Sequence, residues 1–227
     1  MNIGGIQKLS TVDYPGYVVA SIFTLGCNMR CGYCHNPELV LPEQFVDPIP
    51  VEEVLEFLQR RRGLLDGVAI SGGEPTMQQD LVSFIAKVKD LGLRVKLDTN
   101  GTNPAMLREL LAAKLVDFIA MDIKGPLEKY AQIAARPVDL GAIQESIALI
   151  KTIDHEFRTT IVAEQLTLDD IPAIGRLVKG AQRFALQKFV PDRTLSPRFA
   201  RASSFTVDQM NQAQVIMSTY VKECVVH

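Results

Sequence analysis

From residue 18 onward, short apolar runs alternate with amphipathic stretches, and no other feature constrains the fold as strongly. Runs at 18–25, 67–70, 93–97, 116–120, 157–162 and 184–189 read as strands. They are short and mostly apolar, as in a parallel sheet covered on both faces. The stretches 50–61, 104–113, 142–152, 169–179 and 207–221 read as helices, with one more through Leu81, Phe84, Ile85 and Val88. Pro50 opens the first of these helices, Gly92 closes the one through Leu81, and Ser71-Gly72-Gly73 stops the second strand. Alternation of this kind builds right-handed β/α units. Six units are too few for a closed eight-unit barrel, so the expected fold is α/β, an open partial (β/α)6 barrel with parallel strands. A doubly wound open sheet is the alternative. The expected organisation is a single domain over 1–227, with 191–227 as a C-terminal loop and helix, and with no repeat or linker.

A chain of 227 residues can bury one full core. With 24 Lys+Arg against 26 Asp+Glu the net charge is -2, which offers no electrostatic reason to bind nucleic acid or a membrane surface. No run reaches the roughly 18 apolar residues of a membrane helix. The first ten residues lack the charged and apolar regions of a secretory signal. The expected location is the cytoplasm.

Three of the four cysteines fall within eight residues, in Cys27-Asn-Met-Arg-Cys31-Gly-Tyr-Cys34. In a reducing compartment such clustering favours metal or redox chemistry over disulfides. Thiolates are soft ligands for zinc or iron–sulfur clusters. An ordinary [4Fe–4S] protein supplies four cysteines. Three would leave one iron open to a chelating substrate. The competing reading is a structural zinc site closed by His35, but structural zinc usually draws on paired knuckles rather than C-x3-C-x2-C.

Four distinctive loops follow predicted strands: the cysteines, Gly72-Gly73-Glu74, Asp98-Thr99-Asn100-Gly101, and Asp122-Ile-Lys124. In α/β proteins the carboxyl ends of parallel strands form the site, so these loops are expected to converge on one ligand. Plain readings stand beside each. Gly-Gly serves any turn, Asp98 or Asn100 can cap the next helix, and Asp122 can pair with Lys124. Arg158, in an apolar strand, needs an anion if it is buried, and Glu156 and Glu164 are internal candidates.

The complete C-x3-C-x2-C motif is similar to the signature of the radical S-adenosylmethionine superfamily. Lys8-Leu-Ser-Thr-Val-Asp-Tyr-Pro-Gly16, Tyr33-Cys-His-Asn-Pro37 and Gln187-Lys-Phe-Val-Pro191 resemble the glycyl-radical-enzyme activases within it. Among those, they are most similar to the activating protein of anaerobic ribonucleoside-triphosphate reductase. The resemblance implies that Cys27, Cys31 and Cys34 hold a [4Fe–4S] cluster that cleaves S-adenosylmethionine to a 5′-deoxyadenosyl radical. That radical would take hydrogen from a glycine of the partner enzyme. It further implies that Gly72, Gly73 and Glu74 meet the methionine amino group, and that Arg158 meets the carboxylate. Gln187 would lie near the adenosine. Asp98, Thr99 and Asp122 would bind a monovalent cation beside the cofactor, with Asn100 in the same loop. Flavodoxin or ferredoxin is the implied electron donor. Activation of pyruvate formate-lyase, a radical enzyme of a small purine-like substrate, and a noncatalytic zinc module are the alternatives.

Some residues are assigned no chemistry. His35 reads as a neighbour of the cluster and Cys224 as a packed residue of the last helix. Arg60, Arg61 and Arg62 read as a solvated helix end. Arg193, Arg198 and Arg201 read as a solvated loop, with docking of a partner as the other reading.

Overall fold

The computed structural model describes residues 1–227. In chain order the elements are β1 (Ile3–Ser10), β2 (Val19–Thr24), α1 (Pro37–Val40), α2 (Val51–Arg60), β3 (Gly67–Gly72), α3 (Leu81–Asp90), β4 (Arg94–Thr99) and α4 (Pro104–Ala112). There follow β5 (Phe118–Asp122), α5 (Leu127–Ala134), α6 (Leu140–Ile150), β6 (His155–Ile161), α7 (Ile171–Leu177), β7 (Arg183–Lys188), α8 (Val207–Ser218) and β8 (Glu223–Val226). The sheet order is β1 through β8, so β1 and β8 are edges and the sheet is open. The fold is α/β with parallel strands, as the alternation implied. β3 pairs parallel with β2 and with β4, and β7 with β6 and with β8, while β1 runs antiparallel to β2.

Every predicted strand forms, within a few residues of its expected ends. Two strands were not expected. β1 carries Gly4, Gly5, Gln7 and Lys8 and has no apolar run. β8 is only four residues long. It lies within 191–227, which therefore holds a short 3-10 helix and a strand besides the expected loop and helix. Cys224 is on β8 and not in the last helix, which ends at Ser218. The helix expected at 169–179 is a 3-10 turn followed by the seven-residue α7, with Pro172 in its first turn.

Helix starts follow local chemistry. The Asn103 side chain accepts from Met106 N ahead of Pro104, and Asp139 accepts from Gly141 N and Ala142 N. Thr206 and Gln209 form a capping box on α8. The end of α4 is less conventional. Lys114 N donates to Leu111 O and Leu115 N to Leu110 O, with Lys114 itself at φ +53°. That is a Schellman end with a lysine where glycine is the usual residue.

The chain divides into two compact units. The first comprises residues 1–28, 37–99 and 103–119, and the second 29–36, 100–102 and 120–227. In the first, Val68, Ile70, Phe84, Ile85, Val95 and Leu97 are buried between strands and helices. In the second, Tyr130, Phe157, Phe184, Phe189 and Ile174 do the same. The Lys8–Gly16 stretch, notable in the sequence, runs from the end of β1 into the connection to β2. Ser10 Oγ accepts from Val12 N and Asp13 N, and Asp13 accepts from Ser21. Tyr14-Pro15-Gly16-Tyr17 is a tight turn closed by Tyr17 N donating to Tyr14 O at 3.0 Å, with Gly16 at φ +81°. Tyr14 is buried against Val19, Ala69, Tyr17 and Phe118.

Candidate functional site

In the first unit, β2 ends at Thr24 and the chain runs on through Leu25 and Gly26 to Cys27. Neighbouring backbone holds this exit on several sides. Leu25 N donates to Asn2 O, Gly26 N to Leu39 O, Gly73 N to Thr24 O and Glu74 N to Gly26 O, at 2.8 to 2.9 Å. Gly72 and Gly73 are needed for this approach. A Cβ on Gly72 would lie 2.3 Å from Thr24 N, and one on Gly73 would lie 2.0 Å from Gly26 O. The two glycines therefore let the end of β3 press backbone to backbone against the strand leading to the first cysteine.

Glu74 orders the loop after β3. It is fully buried, and its Oε1 accepts from Thr76 N at 3.0 Å, from the Thr76 hydroxyl and from Thr99 Oγ1 at 2.8 Å. Thr99 thus links the end of β4 to the loop after β3. Neither Asp98 nor Asn100 caps the following helix. Asn103 does, while its Nδ2 donates to Thr76 O at 2.8 Å. Asn100 instead closes its own turn, accepting from Thr102 N and Oγ1 at 3.0 and 2.6 Å, with Gly101 at φ +76°. Asp98 pairs with Lys96, which is itself buried.

Gln78 was invisible to sequence reading. Its Nε2 donates to Leu25 O and its Oε1 accepts from Asn2 N, both at 2.9 Å, pinning the residues just before Gly26. Its partners lie 53 and 76 residues away, so no local pattern could have flagged it.

In the second unit, Cys34 N donates to Cys31 O at 3.0 Å, making a tight turn of the last four motif residues. Cys31 is buried and Cys34 half-buried. Burial pushes the Cys31 thiol up, with Lys124 partly opposing it. A metal that bound there would have to displace that proton. Tyr33, next in the turn, is buried with its ring 6.4 Å from both Phe189 and Phe199. His35 lies against Phe189 at 5.5 Å.

The segment expected as a solvated loop supports this turn. Leu195 N donates to Cys34 O and Ser196 N to Gly32 O, both at 2.9 Å. Phe199 fills the space above Gly32, where a Cβ would meet its ring at 2.4 Å. The backbone and Phe199 of 195–199 are therefore structural, while Arg193, Arg198 and Arg201 remain exposed.

Asp122, Lys124 and Arg158 form one cluster. Arg158 Nε donates to Asp122 Oδ1 at 2.9 Å, and Lys124 Nζ donates to Asp122 Oδ2 at 3.1 Å. Asp122 is thus an internal partner of Arg158. Glu156 pairs with Arg183, and Glu164 accepts from Ser203 N. Burial opposes ionisation of Asp122, but the charges and hydrogen bonds of Lys124 and Arg158 outweigh it and hold the carboxyl below the usual carboxylate range. Lys124 is correspondingly held well above its ordinary value: burial works against its charge, and Asp122 prevails. Each carboxylate assigned to a monovalent cation already has a side-chain cation beside it, Lys96 for Asp98 and both Lys124 and Arg158 for Asp122. Any cation would have to share them. Gln187 is half-buried on β7, paired in register with Thr160.

Three cysteines without disulfide partners, at C-x3-C-x2-C, are a soft donor set suited to an iron–sulfur cluster. No three His, Cys, Asp or Glu side chains are gathered as ligands of a single metal ion. Residues 21–178 match the sequence pattern of the Radical SAM superfamily. The chain belongs to that superfamily. Its members use a [4Fe–4S] cluster and S-adenosylmethionine, which are the cofactors of this enzyme as well. A putative glycyl-radical enzyme activating enzyme of Methanocaldococcus jannaschii is 35% identical over 236 aligned positions, covering 99% of this chain and 95% of that one. The pyruvate formate-lyase-activating enzyme of Staphylococcus aureus is 31% identical over 149, covering 60% of this chain and 58% of its own. Among solved structures, Streptococcus suis SuiB bound to S-adenosylmethionine has a similar fold, with a TM-score of 0.70 and 13% identity over 90% of this chain and 48% of SuiB. The protein is a radical SAM enzyme of the glycyl-radical activase class. No helix is long and apolar enough to cross a membrane.

Proposed function

We propose that this radical SAM enzyme activates an anaerobic ribonucleoside-triphosphate reductase by generating its glycyl radical. The observation that carries the activase reading is the 35% identity to an activating enzyme along 99% of the chain. The choice of partner rests on the resemblance of the Lys8–Gly16, Tyr33–Pro37 and Gln187–Pro191 stretches.

When bound and reduced, the cluster supplies the one electron that splits S-adenosylmethionine into methionine and a 5′-deoxyadenosyl radical. The residues of the chain position and shield that chemistry. Cys27, Cys31 and Cys34 are the thiolate ligands in this reading. The Gly72-Gly73 backbone and the buried Glu74, held by Thr99, fix a loop of acceptors for the methionine ammonium. Arg158 and Lys124, aligned by Asp122, supply positive charge for the methionine carboxylate. Tyr33, Phe189 and Phe199 keep water from the back of the cysteine turn.

The test is an anaerobic assay with reconstituted protein, dithionite and S-adenosylmethionine. Each candidate partner is supplied in turn, and glycyl radical is read by electron paramagnetic resonance. Radical on the nucleotide reductase and none on pyruvate formate-lyase is the expected result. The reverse would assign the other partner. Cleavage of S-adenosylmethionine without radical on either would remove the activase reading and leave a small-molecule substrate. The Cys31→Ala variant should form no 5′-deoxyadenosine above background.

A further inference from the structure

The proposed function accounts for the cysteine turn but not for the arginines around it. Arg30 lies within the motif, between Cys27 and Cys31. It lines a hollow of about 260 Å³ together with Gly32, Ala135, Ser196 and Arg198. Arg136 follows Ala135 directly, and Arg201 ends the 3-10 helix that carries Arg198. Arg136, Arg198 and Arg201 are exposed. Glu164 is the acidic residue of the hollow, held by Ser203 N at 3.0 and 3.2 Å, and its one negative charge stands against the two arginines of the lining. The whole chain carries a net charge of -2, so a positive surface here is a local asymmetry and not a consequence of composition.

This basic surface is joined to the cysteine turn by two backbone hydrogen bonds, Leu195 N to Cys34 O and Ser196 N to Gly32 O, both 2.9 Å. An electron arriving at residues 195–198 would have one hydrogen bond and a few covalent bonds to cross before reaching Cys34. The segment also covers the turn from outside through Phe199. A substrate peptide must deliver a glycine to the cofactor itself. An electron carrier has only to come close.

We infer that the arginine surface formed by Arg136, Arg198 and Arg201 around the Arg30 hollow is the docking site of an acidic one-electron carrier protein. The inference rests on the proposed reading of Cys31 and Cys34 as cluster ligands. One electron leaves the carrier, whose reduced flavin or iron–sulfur centre is oxidised by one unit. The enzyme's cluster gains that electron, going from its 2+ to its 1+ state, and no bond on this chain forms or breaks. The carrier's carboxylates face the guanidinium groups. The encounter is small, transient and driven by charge, as redox encounters generally are.

The experiment compares the reconstituted wild type with Arg198→Glu/Arg201→Glu and, on a separate element, Arg136→Glu. The probe is a purified flavodoxin. Binding is read by titration of its flavin fluorescence, and cluster reduction by stopped-flow absorbance with the reduced carrier. At low ionic strength the double variant should bind at least about tenfold more weakly and be reduced at least about tenfold more slowly, with Arg136→Glu showing a smaller loss. The wild-type rate should fall steeply with added salt, and the variants' rates much less. Iron content and dithionite-driven 5′-deoxyadenosine should be unchanged in all three proteins. Unchanged binding and reduction in the double variant would overturn the assignment. Equal loss with dithionite would overturn it too, since the arginines would then be supporting the cysteine turn. Normal carrier-driven cleavage with loss of glycyl radical on the partner enzyme would hand the surface to that enzyme instead. Carrier binding, cluster reduction and 5′-deoxyadenosine formation do not depend on which glycyl radical enzyme is the true partner, so a wrong partner and a wrong docking site give different results.

Discussion

At the scale of single residues, the site depends on positions where one atom too many cannot be accommodated. Gly73 is the sharpest case, because a Cβ there would sit 2.0 Å from the Gly26 carbonyl, which belongs to rigid backbone rather than a flexible side chain. The Gly73→Ala variant should lose about 3 kcal/mol of stability, at the upper end for overpacking, and should retain less iron after reconstitution. Denaturant titration and iron analysis check both. Normal iron with normal stability would mean that the loop after β3 has room to move. His155 offers a pH readout remote from the cysteines. Its Nε2 accepts from Gln182 N at 3.1 Å and its Nδ1 lies 2.7 Å from Ile153 O, so the ring is neutral with its proton on Nδ1. Burial pushes the imidazolium form down in the folded state. Below the unfolded-state value of about 6.5 the unfolded chain therefore binds the extra proton, and stability falls as pH drops through that value. Unfolding midpoints measured from pH 8 to 5 should show this decline in wild type and a flatter profile in His155→Gln.

Single elements show where local preference and tertiary need diverge. The end of α4 places Lys114 in the left-handed region, at φ +53°, within a Schellman hydrogen-bond pattern. A lysine there carries a steric cost that glycine avoids. Lys114→Gly should therefore stabilise the protein by about 1 kcal/mol and raise its Tm by a few degrees, with cofactor binding unchanged. A lower Tm would show that the extra freedom glycine gives the unfolded chain outweighs the relief of strain in the folded one. β1 and β8 make a related point. Both are edge strands: β1 has no apolar run, and that of β8, Cys224 to Val226, is only three residues long. β1 is paired to β2 with two register shifts, and β8 is held by β7 from Arg183 to Leu186. Their partners, and not their own sequences, make them strands.

For the molecule as a whole, the alternation of periods was enough to read the α/β class and six of the eight strands, because buried parallel strands carry contiguous apolar runs. The cysteine spacing was enough to read a soft-ligand metal site, and the resemblance of that spacing to the radical S-adenosylmethionine signature supplied the cluster chemistry. The loops after β3, β4 and β5 were likewise visible as departures from the apolar pattern at strand ends. The pairings of these residues were not legible. Arg158 was expected to need an anion, and its sequence neighbours Glu156 and Glu164 were the internal candidates. One observed partner is Asp122, 36 residues away, with Lys124 on the carboxylate's other oxygen.

Residue type and spacing thus determined the fold class, a soft-ligand metal site and the candidate loops, and the motif's family resemblance supplied the cofactor. Periodicity and ligand softness are local properties, and they survive in a one-dimensional string. Tertiary structure alone decided that Gly72 and Gly73 serve backbone packing, that Gln78 pins the approach to Cys27, and that 195–199 backs the cysteine turn beneath exposed arginines. Each of these is a contact between segments distant along the chain. Such a contact has its energy set by which surfaces the fold brings within hydrogen-bond reach, and no neighbouring residue records it.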